Sequence, residues 1–221
     1  MNAPPGGPAR WPLVTVDVDG TLTTVHGWRA IARHLGRAAE FDRTQRRFFA
    51  KEIGEDEHLK DMLAIAEGSS LAAVEAALEA TPRLRRISEG IAAFHHRRSR
   101  IALLSHNPAY VCDWYRRRFG FDDYEGTGTQ EVVNGIIGRA GCVRADKPAG
   151  LKALLARTGV SAAQVVHIGD GWADAALFPL VGRGVALNSS LPEVERAADL
   201  VLRTDDFEEV ALAVEALPPR A

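Results

Sequence analysis

The stretch Leu13-Val14-Thr15-Val16-Asp17-Val18-Asp19-Gly20-Thr21-Leu22-Thr23 decides the fold. Leu13, Val14, Val16 and Val18 read as a buried strand. Asp17 and Asp19 nevertheless stand two residues apart at its end, and Gly20-Thr21 follows at once. Ionised carboxylates are costly to bury unless a cation or hydrogen-bond donors face them. The strand end therefore meets a ligand.

Further short apolar runs recur at wide intervals, at Ile101–Leu104, Val165–Ile168, Gly184–Leu187 and Leu200–Leu202. Ala149–Thr158 and Phe207–Leu217 carry helical spacing between or after them. Continuous apolar strands alternating with helices imply an α/β fold, a Rossmann-like parallel sheet with helices on both faces. Ligands in such sheets sit beyond the carboxyl ends of the strands. About 80 residues with little strand character separate the first two strands, too many for a plain crossover. Ala30–Leu35, Phe41–Phe49, Leu59–Ala66 and Leu71–Leu78 all have helical apolar periodicity. The expected organisation is a flexible tail over 1–12, a core of 13–24 and 85–221, and an inserted α-helical cap over 25–84. Tyr124 to Val143 carries β-branched residues around Asn134-Gly135, a hairpin turn signal.

Composition narrows the function. The 221 residues are 46% hydrophobic and 25% charged with net charge −2, so no strong field recruits nucleic acid or a membrane surface. The basic runs at Arg97–Arg100 and Arg116–Arg118 read as solvated helix faces. Two cysteines, Cys112 and Cys142, make neither a disulfide framework nor a thiolate zinc site. No apolar window is long enough to span a membrane, and Met1 to Arg10 has no signal-peptide pattern. The expectation is a reduced, cytoplasmic protein.

Four chemistry-bearing features fall at strand ends or helix starts: Asp17-Val18-Asp19-Gly20-Thr21, Ser105, Lys147, and the pair Asp170 and Asp174. Four converging carboxylates repel one another and need a cation. An all-oxygen donor set suits Mg2+, which favours a site shared with a substrate phosphate. Ser105 and Lys147 offer a hydroxyl and a point charge for phosphate oxygens. Gly20 permits close backbone approach and offers an amide. One carboxylate can then attack phosphorus while another trades protons.

This ordered set, DxDGT, strand-end Ser, Lys and GDxxxD, resembles the haloacid dehalogenase-like (HAD) superfamily of phosphatases, from about Leu13 to Leu217. The helical insert resembles the cap of the phosphoserine phosphatase branch. The resemblance implies Asp17 as nucleophile and Asp19 as acid and base, with the Asp19 main-chain carbonyl on the metal. It implies Asp170 as the third protein ligand, Asp174 as an orienting group, and Ser105 and Lys147 on the transferring phosphoryl group. The cap side departs from that branch. His26 stands where its Glu does, Lys60 falls at its cap Arg, Ala173 replaces an Asn, and His106-Asn107 replaces Gly-Gly. The missing Glu and Arg argue against an amino-acid substrate.

The expected substrate is another small phosphorylated metabolite, met by His26, Trp28, Lys60 and Asn107, with His106 beside the phosphate. A phosphotransferase with an alcohol acceptor stays open, as does a receiver-like regulatory module, which the long helical insert disfavours. A homodimer through apolar cap faces is compatible with the composition. His95, His96 and His167 read as surface or packing residues, and Cys112 as a buried filler.

Overall fold

A computed structural model describes residues 9–143 and 146–220. Strand β1 (Leu13–Val16) is followed by four helices, α1 (Gly27–His34), α2 (Ala38–Phe49), α3 (Glu55–Ala64) and α4 (Leu71–Ala80). Then come α5 (Ile87–His96), β2 (Arg100–Pro108), α6 (Ala109–Phe119), β3 (Asp123–Val133) and β4 (Ile136–Val143). The chain closes with α7 (Lys147–Thr158), β5 (Val165–Gly169), α8 (Trp172–Ala175), β6 (Arg183–Leu187), α9 (Pro192–Ala197), β7 (Leu200–Leu202) and α10 (Phe207–Ala216).

The strands form one sheet in the order β4-β3-β2-β1-β5-β6-β7. Every pairing is parallel except that of β3 with β4. β1 is the centre, with Leu13 facing Arg100 on one side and Val165 on the other. Connections run outward from β1 in both directions, so its carboxyl end is the switch point where an open α/β sheet binds ligands.

The pleat sends alternate residues to opposite faces. Val14 and Val16 pack with Ile101, Leu103, Phe94 of α5 and Val210 of α10. Leu13 packs on the other face with Ala102, Leu104 and Leu151 and Leu154 of α7. Continuous burial on both faces explains the unbroken apolar runs.

Four departures from the sequence reading have local causes. β1 stops at Val16, because Val18 is taken into a tight turn: its carbonyl accepts from the amides of Leu22 (2.9 Å) and Thr23 (3.1 Å). β2 runs on to Pro108 with a register break after Ser105, because β3 pairs alongside it. The hairpin turns at Asn134 (φ 51°) and Gly135 (φ 75°) as its turn signal predicts, with the two positive φ values of a type I′ turn, yet β3 also joins the main sheet through β2. Trp11, assigned to the tail, is 1% exposed within the core. The rest of that tail, residues 1–8, lies outside the described residues.

The chain enters and leaves the helical segment side by side. Thr24 donates to the Pro82 carbonyl (3.1 Å), and Leu84 to that of Leu22 (2.9 Å). The segment also rests on the β3–β4 hairpin. Leu71 donates to the Gly135 carbonyl (2.8 Å), Ile137 to that of Ser69 (2.9 Å), and the Gln130 side-chain amide to that of Leu63 (3.1 Å). Its entry point therefore lies directly beyond β1, over the switch point.

Candidate active site

Asp17 is the first residue after β1 and is only 6% exposed. Its amide continues the sheet by donating to the Ile168 carbonyl (2.9 Å), so β5 sets its position. Its Oδ1 lies 2.8 Å from Nζ of Lys147, which opens α7 beside β1. Burial, then the neighbouring Asp174 and Asp170, push Asp17 up to about 8 against the pull of Lys147. Burial would also lower the Lys147 ammonium, but Asp17 and Asp174 more than offset it and raise it. Lys147 is therefore a fixed cation.

Asp174 has every acceptor position engaged. Oδ1 accepts from Lys147 (2.5 Å) and from Nε2 of His167 (2.9 Å), and Oδ2 from the amides of Asp170 (3.1 Å) and Gly171 (3.0 Å). His167 in turn shares Nδ1 with the Thr15 hydroxyl at 2.9 Å. Asp174 approaches so closely that a Cβ at Gly169 would fall 2.1 Å from its Cγ. Asp170 is held by the Thr21 hydroxyl (2.8 Å), with its carbonyl taken by Ser189 (2.6 Å). Burial and the Asp174 charge raise Asp170 to about 6.

Oxygens of Asp17, Asp170 and Asp174 lie within 4.8 Å of one another. One ammonium faces three carboxylates, and the donors are all hard oxygens, so the cluster fits a divalent cation. Asp174 has no acceptor to spare. Asp17 and Asp170 are the carboxylates that could hold such an ion.

Asp19 is bound at both oxygens. Oδ1 accepts from the Gly27 amide at the start of α1 (2.7 Å), and Oδ2 from the side-chain amide of Asn107 (2.8 Å). Asn107 also donates to Ser105 Oγ (3.0 Å) and accepts from the Trp28 indole (2.8 Å). Gly20 is demanded by its φ of +82° and by Asp170, whose Oδ2 a Cβ would meet at 2.3 Å. The Gly20 amide donates to Thr23 Oγ1 (3.0 Å), and Gly20 lines the cavity beside Asp170.

These groups floor a cavity of about 930 Å³. Asp17, Asp19, Gly20, Ser105, His106, Asn107, Lys147, Asp170 and Asp174 line its sheet side, with Trp172 at the rim. His26, Trp28, Gln45, Phe48, Phe49, Glu55, His58, Leu59 and Met62 line the helical side. Of the residues assigned from sequence, only Lys60 falls outside. It is exposed on α3, whose inward face carries His58 and Met62 one turn apart. Burial, reinforced by Lys147, lowers His106 to about 4, so it meets a ligand as a neutral imidazole. His58, stacked on Phe48 at 4.3 Å, is lowered by burial to about 4 as well.

Sequence reasoning missed the roles of His167, Thr15, Ser189 and His58, and named Thr21 within the motif without giving it one. His167 is not a surface or simple packing residue: it is fully buried and holds Asp174. A lone polar ring inside the run Val165–Ile168 was the available signal, since a buried imidazole needs partners.

A profile of haloacid dehalogenase-like hydrolases matches residues 14–179. The chain belongs to that family. Phosphoserine phosphatase of Streptomyces coelicolor is 28% identical over 198 residues, 84% of this chain and 46% of the relative. That of Archaeoglobus fulgidus is 25% identical over 80% of this chain and 52% of its own. A phosphoglycolate phosphatase of Methanopyrus kandleri is 40% identical over 86 residues, 38% of this chain and 37% of its own. This HAD-family chain thus spans about half, or less, of the curated relatives it matches. Its fold is shared with a HAD family hydrolase of Salmonella enterica serovar Typhi, at TM-score 0.84 and 18% identity over 95% of this chain and 72% of the other. A phospho-aspartyl intermediate analogue of phosphoserine phosphatase superposes with TM-score 0.76 at 18% identity, over 91% and 98% of the two chains.

Proposed function

We propose that this protein is a magnesium-dependent phosphatase that hydrolyses a small-molecule phosphomonoester through an aspartyl-phosphate on Asp17. The observation that carries the reading is the buried Asp17 carboxylate at the switch point, paired at Oδ1 with Lys147 (2.8 Å) and crowded by two further aspartates. The phosphatase relatives support it.

Lys147 holds one oxygen of Asp17, and the other attacks phosphorus. As the ester P–O bond breaks, Asp19 gives its proton to the leaving oxygen. Asp19 then takes a proton from water, the water oxygen bonds to phosphorus, and the bond to Asp17 breaks. Ser105 and Lys147 donate to the phosphoryl oxygens throughout. Magnesium on Asp17, Asp170 and the Asp19 carbonyl would screen the carboxylates from the incoming anion.

The helical wall restricts the leaving group. Between Val25 and Met62 no Lys or Arg lines the cavity; Phe48, Phe49, Leu59, Met62 and neutral His58 do, together with Gln45 and the single acid Glu55. A substrate carboxylate finds no counter-charge on that wall and meets the Glu55 carboxyl there, whereas an apolar body without a carboxylate is matched. Phosphate release from phosphoserine, sugar phosphates, nucleotides and aryl phosphates tests both parts. Turnover needing Mg2+ and lost in Asp17→Asn is expected, with uncharged-bodied esters ahead of phosphoserine. Turnover that survives Asp17→Asn overturns the mechanism, and a preference for phosphoserine overturns the substrate class.

A further inference from the structure

The DxD motif accounts for Asp19 but not for what grips it. Asn107 is 3% exposed and follows Ser105 by two residues, where β2 breaks register against β3. The break is close-packed: the Asn107 carbonyl accepts from Cys112 Sγ (3.8 Å) and lies 2.4 Å from where a Cβ on Gly126 would be. Its side chain reaches Asp19 Oδ2 (2.8 Å), Ser105 Oγ (3.0 Å) and Trp28 Nε1 (2.8 Å) at once.

Those three contacts fix which end of the amide faces where. An indole N–H can only donate, so Trp28 requires the Asn107 oxygen. The reversed amide would set two donors together and bring its oxygen against the Asp19 carboxylate. Nδ2 is therefore directed at Asp19 and Ser105. Ser105 Oγ accepts from that group and from the Asn107 amide (3.3 Å), which leaves its own O–H to donate to a phosphoryl oxygen.

Trp28 and Gly27 are consecutive residues at the start of α1. Gly27 holds the other Asp19 oxygen directly (2.7 Å), and no side chain fits there, since a Cβ would lie 2.2 Å from Oδ1. Both anchors of Asp19 thus depend on one helix start, one directly and one through Asn107.

Resting on the hydrolase reading above, we infer that Asn107, locked by Trp28, is the positioning residue that holds Asp19 and Ser105 in their working geometry. Seating of α1 is then a condition for proton transfer by Asp19. An alkyl leaving group needs that proton and an aryl one does not, so the relay acts selectively on poor leaving groups.

The test is kcat/KM for one alkyl and one aryl phosphate, measured for wild type, Asn107→Ala, Trp28→Phe and the double variant. Both single variants should lower the alkyl-to-aryl ratio about tenfold or more. The double variant should lose no more than Asn107→Ala alone, because Trp28 acts through Asn107. Trp28→Phe keeps an aromatic ring while removing the N–H, and carries the same test should Asn107→Ala not fold. An equal loss on both esters, or additive losses, would overturn the inference while leaving the hydrolase reading intact. A wild-type chain that cleaves neither ester, nor any phosphomonoester, removes both.

Discussion

Nζ of Lys147 lies 2.5 Å from Oδ1 of Asp174, and the same oxygen accepts from His167. Burial alone would raise Asp174, yet Lys147 and His167 outweigh it and hold this carboxyl well below the usual carboxylate range. Asp174 is thus a permanent anion whose four donors come from α7, β5 and the turn into α8. It fixes the ammonium that in turn pairs with Asp17.

Asp174→Asn leaves Lys147 without half of its counter-charge and turns one acceptor into a donor. Breaking a buried pair by removing one partner costs about 3–5 kcal/mol. The variant should unfold at lower denaturant by about that amount and lose most phosphate release. Undiminished stability in chemical denaturation would show that Asp174 does not anchor Lys147.

The Asp17 shift gives a pH dependence of definite sign. Its folded value of about 8 lies above the ordinary carboxylate value, so the fold favours the protonated form. The associated stability is present at low pH and declines as pH rises, until Asp17 is ionised above about 8. Metal-free protein should therefore lose stability between about pH 4 and pH 8, with a slope from Asp17 of up to about 1.4 kcal/mol per pH unit, and level off above that. Because the cation competes with that proton, magnesium affinity should climb over the same range and level off above about pH 8. Scanning calorimetry with chelator and with Mg2+ measures both. A flat metal-free profile would contradict the assignment.

Gly27 tests the grip of α1 on Asp19. Alanine suits a helix better than glycine, so propensity alone favours Gly27→Ala, though less at this first position than in a helix interior. The contact opposes it, with a Cβ only 2.2 Å from Asp19 Oδ1. Either α1 or Asp19 must move. The expected outcome is a fall in kcat of about tenfold or more, read by phosphate release, with little change in melting temperature. Activity at the wild-type level would mean that the Gly27 contact is dispensable.

The sheet and the acidic cluster were legible because their signals are local. The run Leu13–Val16, the Asp17/Asp19 spacing and the one-turn spacing of Asp170 and Asp174 each sit within a few residues. What stayed hidden depends on contacts between distant segments. Thr15 meets His167, and Asn107 joins Ser105 to Trp28 and Asp19, only once β1, β2, β5 and α1 are assembled. Lys60 was misplaced for a related reason. A cap residue inferred from resemblance carries no register, and the α3 face was set by His58 and Met62 packing inward.

The buried chain from Thr15 to Asp174 yields the last prediction. Asp174 accepts from Nε2 of His167, so the neutral ring carries its proton there and Nδ1 accepts from the Thr15 hydroxyl. Burial lowers His167 and keeps it neutral, even though Asp174 and Thr15 pull the other way. Thr15→Val keeps the shape and suits a central strand, so packing and β-propensity predict no loss. It also leaves Nδ1 buried without a donor, which costs about 1–3 kcal/mol. The second effect should win, because no part of Thr15 or His167 is exposed and water cannot replace the hydroxyl. Thr15→Val should be destabilised by that amount in urea while retaining more turnover than Asp174→Asn, since Lys147 keeps its carboxylate. A Thr15→Val protein as stable as wild type would mean that His167 holds Asp174 without help from β1.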